Sequence, residues 1–223
     1  MAGLKELRTR IETIKSTEKI TSAMKMVAAA RLRRSQGLIE KCRFYNNNIL
    51  ASANRVLFEL RQEEQKKNVR FVYPELMRGS GKAENYLLLV FTSDRGLCGS
   101  YNSNVAREAS KRIEELLGSG KNVKILCIGK KGRDILKRKY AGMIVDTIEG
   151  IARKGAKYYE AVDLGQRVLD MYAKGEFDVC ETVSSRFRSA INREIVVRQV
   201  FPVQIEDCLL YTSPSPRDGL LSR

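Results

Sequence analysis

The stretch with the most chemical potential is residues 93–104, SDRGLCGSYNSN, which places a carboxylate (Asp94), a guanidinium (Arg95), a thiol (Cys98) and two glycines (Gly96, Gly99) within a few residues. A glycine-bearing turn between a strand and a helix is where backbone N–H groups cradle phosphate. The spacing speaks against that use. GLCG is not G-x-G-x-x-G, no P-loop Lys-Ser/Thr follows, and no ribose-binding acid stands in a convincing setting. Cys98 would need a base to become a nucleophile, and the chain contains no histidine. That absence removes Ser–His and Cys–His dyads and every His-ligated metal site. Cys98 therefore reads as a packed thiol. Asp94, Arg95, Gly96 and Gly99 read as a structural loop whose glycines serve a tight turn. No catalytic residue, cofactor ligand or metal ligand is expected.

Charge is the second chemical resource. Lys and Arg number 41 against 26 Asp and Glu, a net +15, so an acidic partner surface is expected. The excess is concentrated at the start, where residues 1–43 hold eleven Lys or Arg and four Glu. Inside it stands KITSAMKMVAAARLRR, residues 19–34, with few large side chains and three consecutive alanines. One reading is a solvated coiled-coil face; the sharper one is a basic girdle facing acidic groups on a partner. Five scattered cysteines without a CxxC pair fit free thiols in a reducing compartment. No apolar run is long enough to span a bilayer. The start enters helix pattern at once, so no leader is expected and the chain should stay where it is made.

These residues must be positioned by elements, and the longest is first. Apolar residues recur at three- and four-residue steps through Leu4, Leu7, Ile11 and Ile14, then Ile20, Met24 and Val27, and later Cys42, Tyr45, Ile49, Ala53, Val56 and Leu60. This is read as the a/d stripe of a helix that supercoils with a partner. At 1.5 Å per residue it would run roughly 80–90 Å. The polar run RQEEQKK, 61–67, ends the stripe, and the segment 66–85 with Pro74, Gly79 and Gly81 reads as linker or loop. A continuous apolar run at 86–92 predicts a strand buried on both faces. Helices are predicted over 105–117, 130–140 and 158–173, and strands over 123–128, 144–148, 178–187 and 194–203. The alternation predicts an α/β layer fold with a mostly parallel sheet and an antiparallel last pair.

The motif IKSTEKITSAMKMVAAARLRRSQ together with TSDRGLCGSYNSN closely resembles the gamma subunit of F-type ATP synthases over residues 1–207. The resemblance implies a long N-terminal coiled-coil helix (1–65) and a Rossmann-like α/β foot domain (86–207). It implies a rotor subunit without an active site or cofactor of its own. Its partners would be the catalytic alpha/beta ring, the epsilon subunit and the membrane c-ring. Rotation driven by proton or sodium flow would force the catalytic sites through their binding states. Met24, in a string matching the family pattern, resembles the position where the shaft passes acidic loops of the ring. Lys19, Lys25, Arg31, Arg33 and Arg34 resemble its surrounding basic surface. The long cysteine-bearing insert of the plastid form is missing, which implies a bacterial protein on the cytoplasmic face of the cell membrane, peripheral to it.

One departure bears on that reading. The family ends with a second long helix that partners the first, whereas residues 208–223 read CLLYTSPSPRDGLLSR, with two prolines and no heptad. This tail resembles sequencing-adapter read-through, and the natural chain is expected to continue past Asp207. The rival function is a basic coiled-coil adaptor for nucleic acid. It lacks aromatics interleaved with the basic run, so nucleic acid is not the expected partner.

Overall fold

A computed structural model describes residues 2–67, 79–151, 157–189 and 192–202. The chain divides into two units, Met1–Asn68 and Val69–Arg223. The first is a single helix, α1 (Ala2–Lys67), 66 residues long and thus about 100 Å. It runs on through the polar RQEEQKK segment to Lys67, two residues past the expected 65, so the helix outlasts the apolar stripe that ends near Leu60. Good helix formers (Arg, Gln, Glu, Lys) carry it onward without any need for burial.

The expected single stripe also divides. Ile20 lies six residues after Ile14, a rotation of about 600°, so Ile20, Met24 and Val27 face well away from the Leu4–Ile14 set. Heptad steps from Ile14 instead pass through Glu18, Thr21, Lys25 and Ala28 before reaching Leu32, Ile39, Cys42, Ile49, Val56 and Leu60. The apolar side chains are exposed on both faces: Leu4 is 68% and Met24 56% accessible. Beside them runs a row of threonines, Thr9, Thr13, Thr17 and Thr21, each donating its hydroxyl to the carbonyl four residues back at 2.7–3.1 Å. With the hydroxyls so engaged, the row presents methyl groups outward.

The second unit carries a five-stranded sheet in the order β3-β2-β1-β4-β5. Its strands are β1 (Asn85–Phe91), β2 (Asn122–Ile128), β3 (Ile144–Ile148), β4 (Val179–Phe187) and β5 (Arg193–Phe201). The first four are parallel and β5 is antiparallel to β4. The connections hold α2 (Tyr101–Gly118), α3 (Lys130–Tyr140) with a 3-10 turn at Ala141–Met143, and α4 (Tyr158–Ala173). From β1 through β3 the chain steps one way across the sheet, and α2 and α3 pack on one face with Leu88, Val90, Ile125 and Cys127. It then steps back past β1 to β4, and α4 packs on the other face with Leu87, Leu89, Leu126 and Cys180. Crossovers of one hand exchange faces when their direction reverses. The run LLLVF is apolar throughout because both faces of β1 are covered.

Several boundaries differ from expectation, those of β1, β2, β4 and β5 by only one or two residues. α2 begins at Tyr101, four residues before the predicted start, because the Asn104 N–H already donates to the Ser100 carbonyl at 2.8 Å. The predicted linker 66–85 surrenders its first two residues to α1 and its last to β1; 68–78, and the tail 208–223, lie outside the described residues.

The start of β1 is fixed by one carboxylate. Asp178, 8% exposed, accepts from the Ser80 hydroxyl, the Glu84 and Asn85 N–H groups and the Asn85 amide at 2.9–3.2 Å. Burial pushes its pKa up, yet those four donors hold it below the usual aspartate range. A depressed folded value contributes stability that is present above the unfolded pKa near 3.9 and is lost as pH falls through the folded one. Asp178→Asn is therefore expected to cost about 2 kcal/mol at neutral pH and to flatten the acid limb of stability below pH 4. Urea titrations read by tyrosine fluorescence measure this, and an unchanged acid limb would contradict it.

Candidate functional site

The loop after β1 lies at the carboxyl ends of the parallel strands, on the side where open α/β sheets bind ligands. Here the chain fills that position with its own groups. The Thr92 hydroxyl accepts from the Gly132 N–H at 2.9 Å and donates to the Gly129 carbonyl at 3.2 Å. Asp94 accepts from the Lys130 N–H at 3.0 Å through Oδ1 and from the Gly150 N–H at 2.9 Å through Oδ2. One carboxylate thus caps α3 and ties down the turn after β3. The positive end of α3, which could attract a phosphate, is occupied by an internal anion.

The close approach explains two glycines outside the singled-out loop. A Cβ on Gly129 would stand 2.3 Å from the Thr92 carbonyl oxygen, and one on Gly132 would stand 2.7 Å from the Thr92 hydroxyl. Neither was visible as functional in the sequence. Within the loop, Gly99 has φ +59° and needs glycine's freedom, but Gly96 has neither a positive φ nor a neighbour within 4 Å of a Cβ. The tight-turn explanation therefore holds for Gly99 and not for Gly96. The other left-handed residue is Leu97, at φ 59° and 98% exposed.

Asn102 knits the loop to α2. Its carbonyl oxygen accepts from the Ser93 N–H at 3.0 Å, and its amide donates to the Ser93 hydroxyl at 2.9 Å and to the Cys98 sulfur at 3.0 Å. Asn102 is 8% exposed, so Cys98 sits against a satisfied polar network, consistent with packing. The Arg95 side chain is exposed. Burial pushes the Cys127 thiol up to about 11 and the Cys180 thiol up to about 12, which keeps both protonated and inert at neutral pH. No cluster of metal-ligating side chains occurs among the described residues.

The other candidate lies on α1. Lys19, Met24, Lys25, Arg31, Arg33 and Arg34 are all exposed. At about 100° per residue the five cations point to all sides of the helix, so they form a collar and not a stripe. None of them has a carboxylate partner among the described residues. Ala28, Ala29 and Ala30 leave the axis thin inside that collar.

Comparison with known proteins decides the family. Residues 3–218 match the family model described as ATP synthase. The ATP synthase gamma chain of Sinorhizobium medicae is 41% identical over 202 residues, covering 91% of this chain and 67% of that one. This chain belongs to the ATP synthase gamma chain family. The gamma chain of Rhizobium leguminosarum bv. trifolii is 42% identical over 212 residues, 93% of this chain and 70% of its own length. A chain in the cryo-EM structure of the Tetrahymena thermophila mitochondrial ATP synthase central stalk and c-ring aligns over 69% of this chain and 72% of its own. Its TM-score is 0.47, at 23% identity. The gamma chain is a non-catalytic, peripheral subunit of its complex. Among the described residues no helix is long and apolar enough to cross a membrane.

Proposed function

We propose that this chain acts as the central-stalk rotor of an F-type ATP synthase, with α1 as the shaft. In this reading α1 turns inside the catalytic alpha/beta ring while the α/β unit meets the epsilon subunit and the membrane c-ring. Proton or sodium flow drives the turn, at the cytoplasmic face of a bacterial membrane. The observation that carries the reading is α1 itself: a 66-residue helix whose apolar residues are exposed on two faces and whose cations ring a thin waist.

That geometry suits a rotating contact. Small residues at the waist give no deep interlock to fix one angle. Exposed ion pairs between mobile side chains are worth about 0–1 kcal/mol each, so they exchange as the shaft turns. The opposite-facing Ile20, Met24 and Val27 set lets one partner lie along the heptad seam while another meets the far side. Lys19, Lys25, Arg31, Arg33 and Arg34 are assigned to ring contact, with Met24 at the passage of its acidic loops. Asp94, Arg95, Gly96 and Gly99 are assigned to the frame of the α/β unit.

Co-expression with alpha and beta subunits tests the assignment. The chain is expected to co-purify with them, and Lys25→Glu combined with Arg33→Glu should lower ATP-driven ion pumping several-fold while leaving the α/β unit folded. Two lost pairs of about 0.5–1 kcal/mol each set that scale. Unchanged coupling would count against the collar, and failure to co-purify would count against the rotor role.

A further inference from the structure

We propose that the outer edge of β5 pairs with the same edge of a second copy, joining two unassembled chains through one continuous antiparallel sheet. Among the described residues β5 ends the sheet, and it is nine residues long. Beside the turn that precedes it, the Arg188 N–H donates to the Asn192 carbonyl at 3.2 Å, which fixes the alternation of bonds along the pair. Glu194, Val196 and Arg198 thus exchange their bonds with Arg186, Ser184 and Thr182 of β4. Arg193, Ile195 and Val197 turn their N–H and C=O groups outward, a template for another strand.

The charges on β5 select a second copy as the occupant. An edge that pairs with itself must set outward-bonding residues opposite one another. Centred on Val196, the pairing sets Ile195 against Val197 of the second copy, and Val197 against its Ile195. The positions between them then place Glu194 opposite Arg198 and, by symmetry, Arg198 opposite Glu194. Moving the centre to Ile195 or Val197 sets Glu194 against a valine and leaves both charges without partners. Glu194 and Arg198 are exposed, and Arg198 has no carboxylate partner among the described residues. Arg188 meets Glu194 only through Oε2, at 3.1–3.2 Å, so Oε1 is open to a second cation. Arg186 stands across from Glu194 on β4. The pairing extends that row as Arg186, Glu194 and the Arg198 of the second copy, with signs alternating.

Charged residues on an edge strand commonly guard it against pairing. Such a guard works by setting like charges together, and here self-pairing sets opposite ones. The other edge of the sheet favours closure at two copies. β3 is only five residues long, short edges resist pairing, and its Asp146 is engaged by Arg167. Pairing of β5 with β3 would run on as an open filament, whereas pairing of β5 with itself closes at a dimer. The inference rests on the α/β unit alone and stands apart from the shaft reading.

Sedimentation equilibrium of the whole chain tests the pairing, in a Leu7→Glu, Ile14→Glu, Ile49→Glu background that keeps α1 from associating. One strand edge is small beside a standard interface, so the dimer is expected to dissociate at about 10–100 μM. Glu194→Arg and Arg198→Glu should each weaken it at least about tenfold, because each sets two like-charged pairs face to face. Mixed in equal amounts, the two variants should form a heterodimer within about threefold of the parent constant, since every charge then meets its opposite. In the dimer, hydrogen exchange should slow at the Arg193, Ile195 and Val197 amides, while the Glu194, Val196 and Arg198 amides, already bonded to β4, change little. A chain still monomeric at about 1 mM would overturn the proposal. So would a dimer indifferent to both reversals, or two variants that fail to pair when mixed. Should a reversal lower the urea midpoint, the exchange pattern of the parent dimer decides by itself.

Discussion

Replacing Arg112 with alanine is expected to lower the unfolding free energy of the α/β unit by about 3 kcal/mol. Arg112 on α2 grips Glu181 on β4 as a fork, Nε to Oε2 at 2.8 Å and Nη2 to Oε1 at 2.7 Å. The Glu181 side chain is 7% exposed and sits in the middle of the sheet, in register with Leu88 of β1. Removing the guanidinium leaves an almost fully covered carboxylate without its bidentate counter-charge, which typically costs about 3–5 kcal/mol. Arg112 itself is 29% exposed, so water enters the gap and the lower end of that range applies. Arg112→Met combined with Glu181→Leu removes both charges and is expected to return stability to within about 1 kcal/mol of the parent. Urea unfolding followed by tyrosine fluorescence separates the two, since the chain has no tryptophan. A single-variant loss below about 1 kcal/mol would mean that the pair is solvated and does not anchor α2 to the sheet.

Nothing in the sequence announced that pair. Glu181 lies inside a segment read as strand and Arg112 inside a segment read as helix, 69 residues apart, and local patterns do not carry such partnerships. The elements were legible where punctuation is strong. α3, β3 and α4 begin and end as their residues predict, with Gly129, Gly150 and Gly175 all at positive φ beside them. The antiparallel last pair followed from its short polar connection. Strand order was not legible, because the side of β1 on which β4 settles depends on contacts between elements far apart in the chain, such as Cys180 and Val183 of β4 in the two cores. The same limit hid the candidate loop's anchors. Thr92 reads as an ordinary strand end, and its role depends on Gly129 and Gly132 arriving from the next crossover. The α1 collar was the opposite case: its cations were visible from composition, and helical periodicity alone converts them from a list into a ring.

The largest change expected of this chain involves no substitution. In dilute solution α1 is expected to exchange its amide hydrogens quickly over residues 4–60, while β1, β2 and β4 remain protected. An isolated helix gains little from its own hydrogen bonds, and most helical stability in proteins comes from packing an apolar face. Along the seam, Leu4, Leu7, Ile11, Ile14, Leu32, Ile49 and Val56 are 42–68% exposed. Burying what remains open on each is worth about 1 kcal/mol, roughly 7 kcal/mol for the set. That exceeds the roughly 4 kcal/mol that a nucleation constant of about 10⁻³ represents. Adding a designed antiparallel helix with leucine and isoleucine at its a and d positions should therefore slow exchange across 4–60 by at least about a hundredfold. The gain should be weakest around Glu18, Thr21 and Lys25, where the seam is polar, and Ile20, Met24 and Val27 should stay accessible to solvent because they face away from the added helix. Protection of α1 in the dilute monomer before any helix is added would show that the seam is already covered. Protection spread evenly over both faces would show that Ile20, Met24 and Val27 belong to the same contact, and the two-partner reading of the shaft would fall.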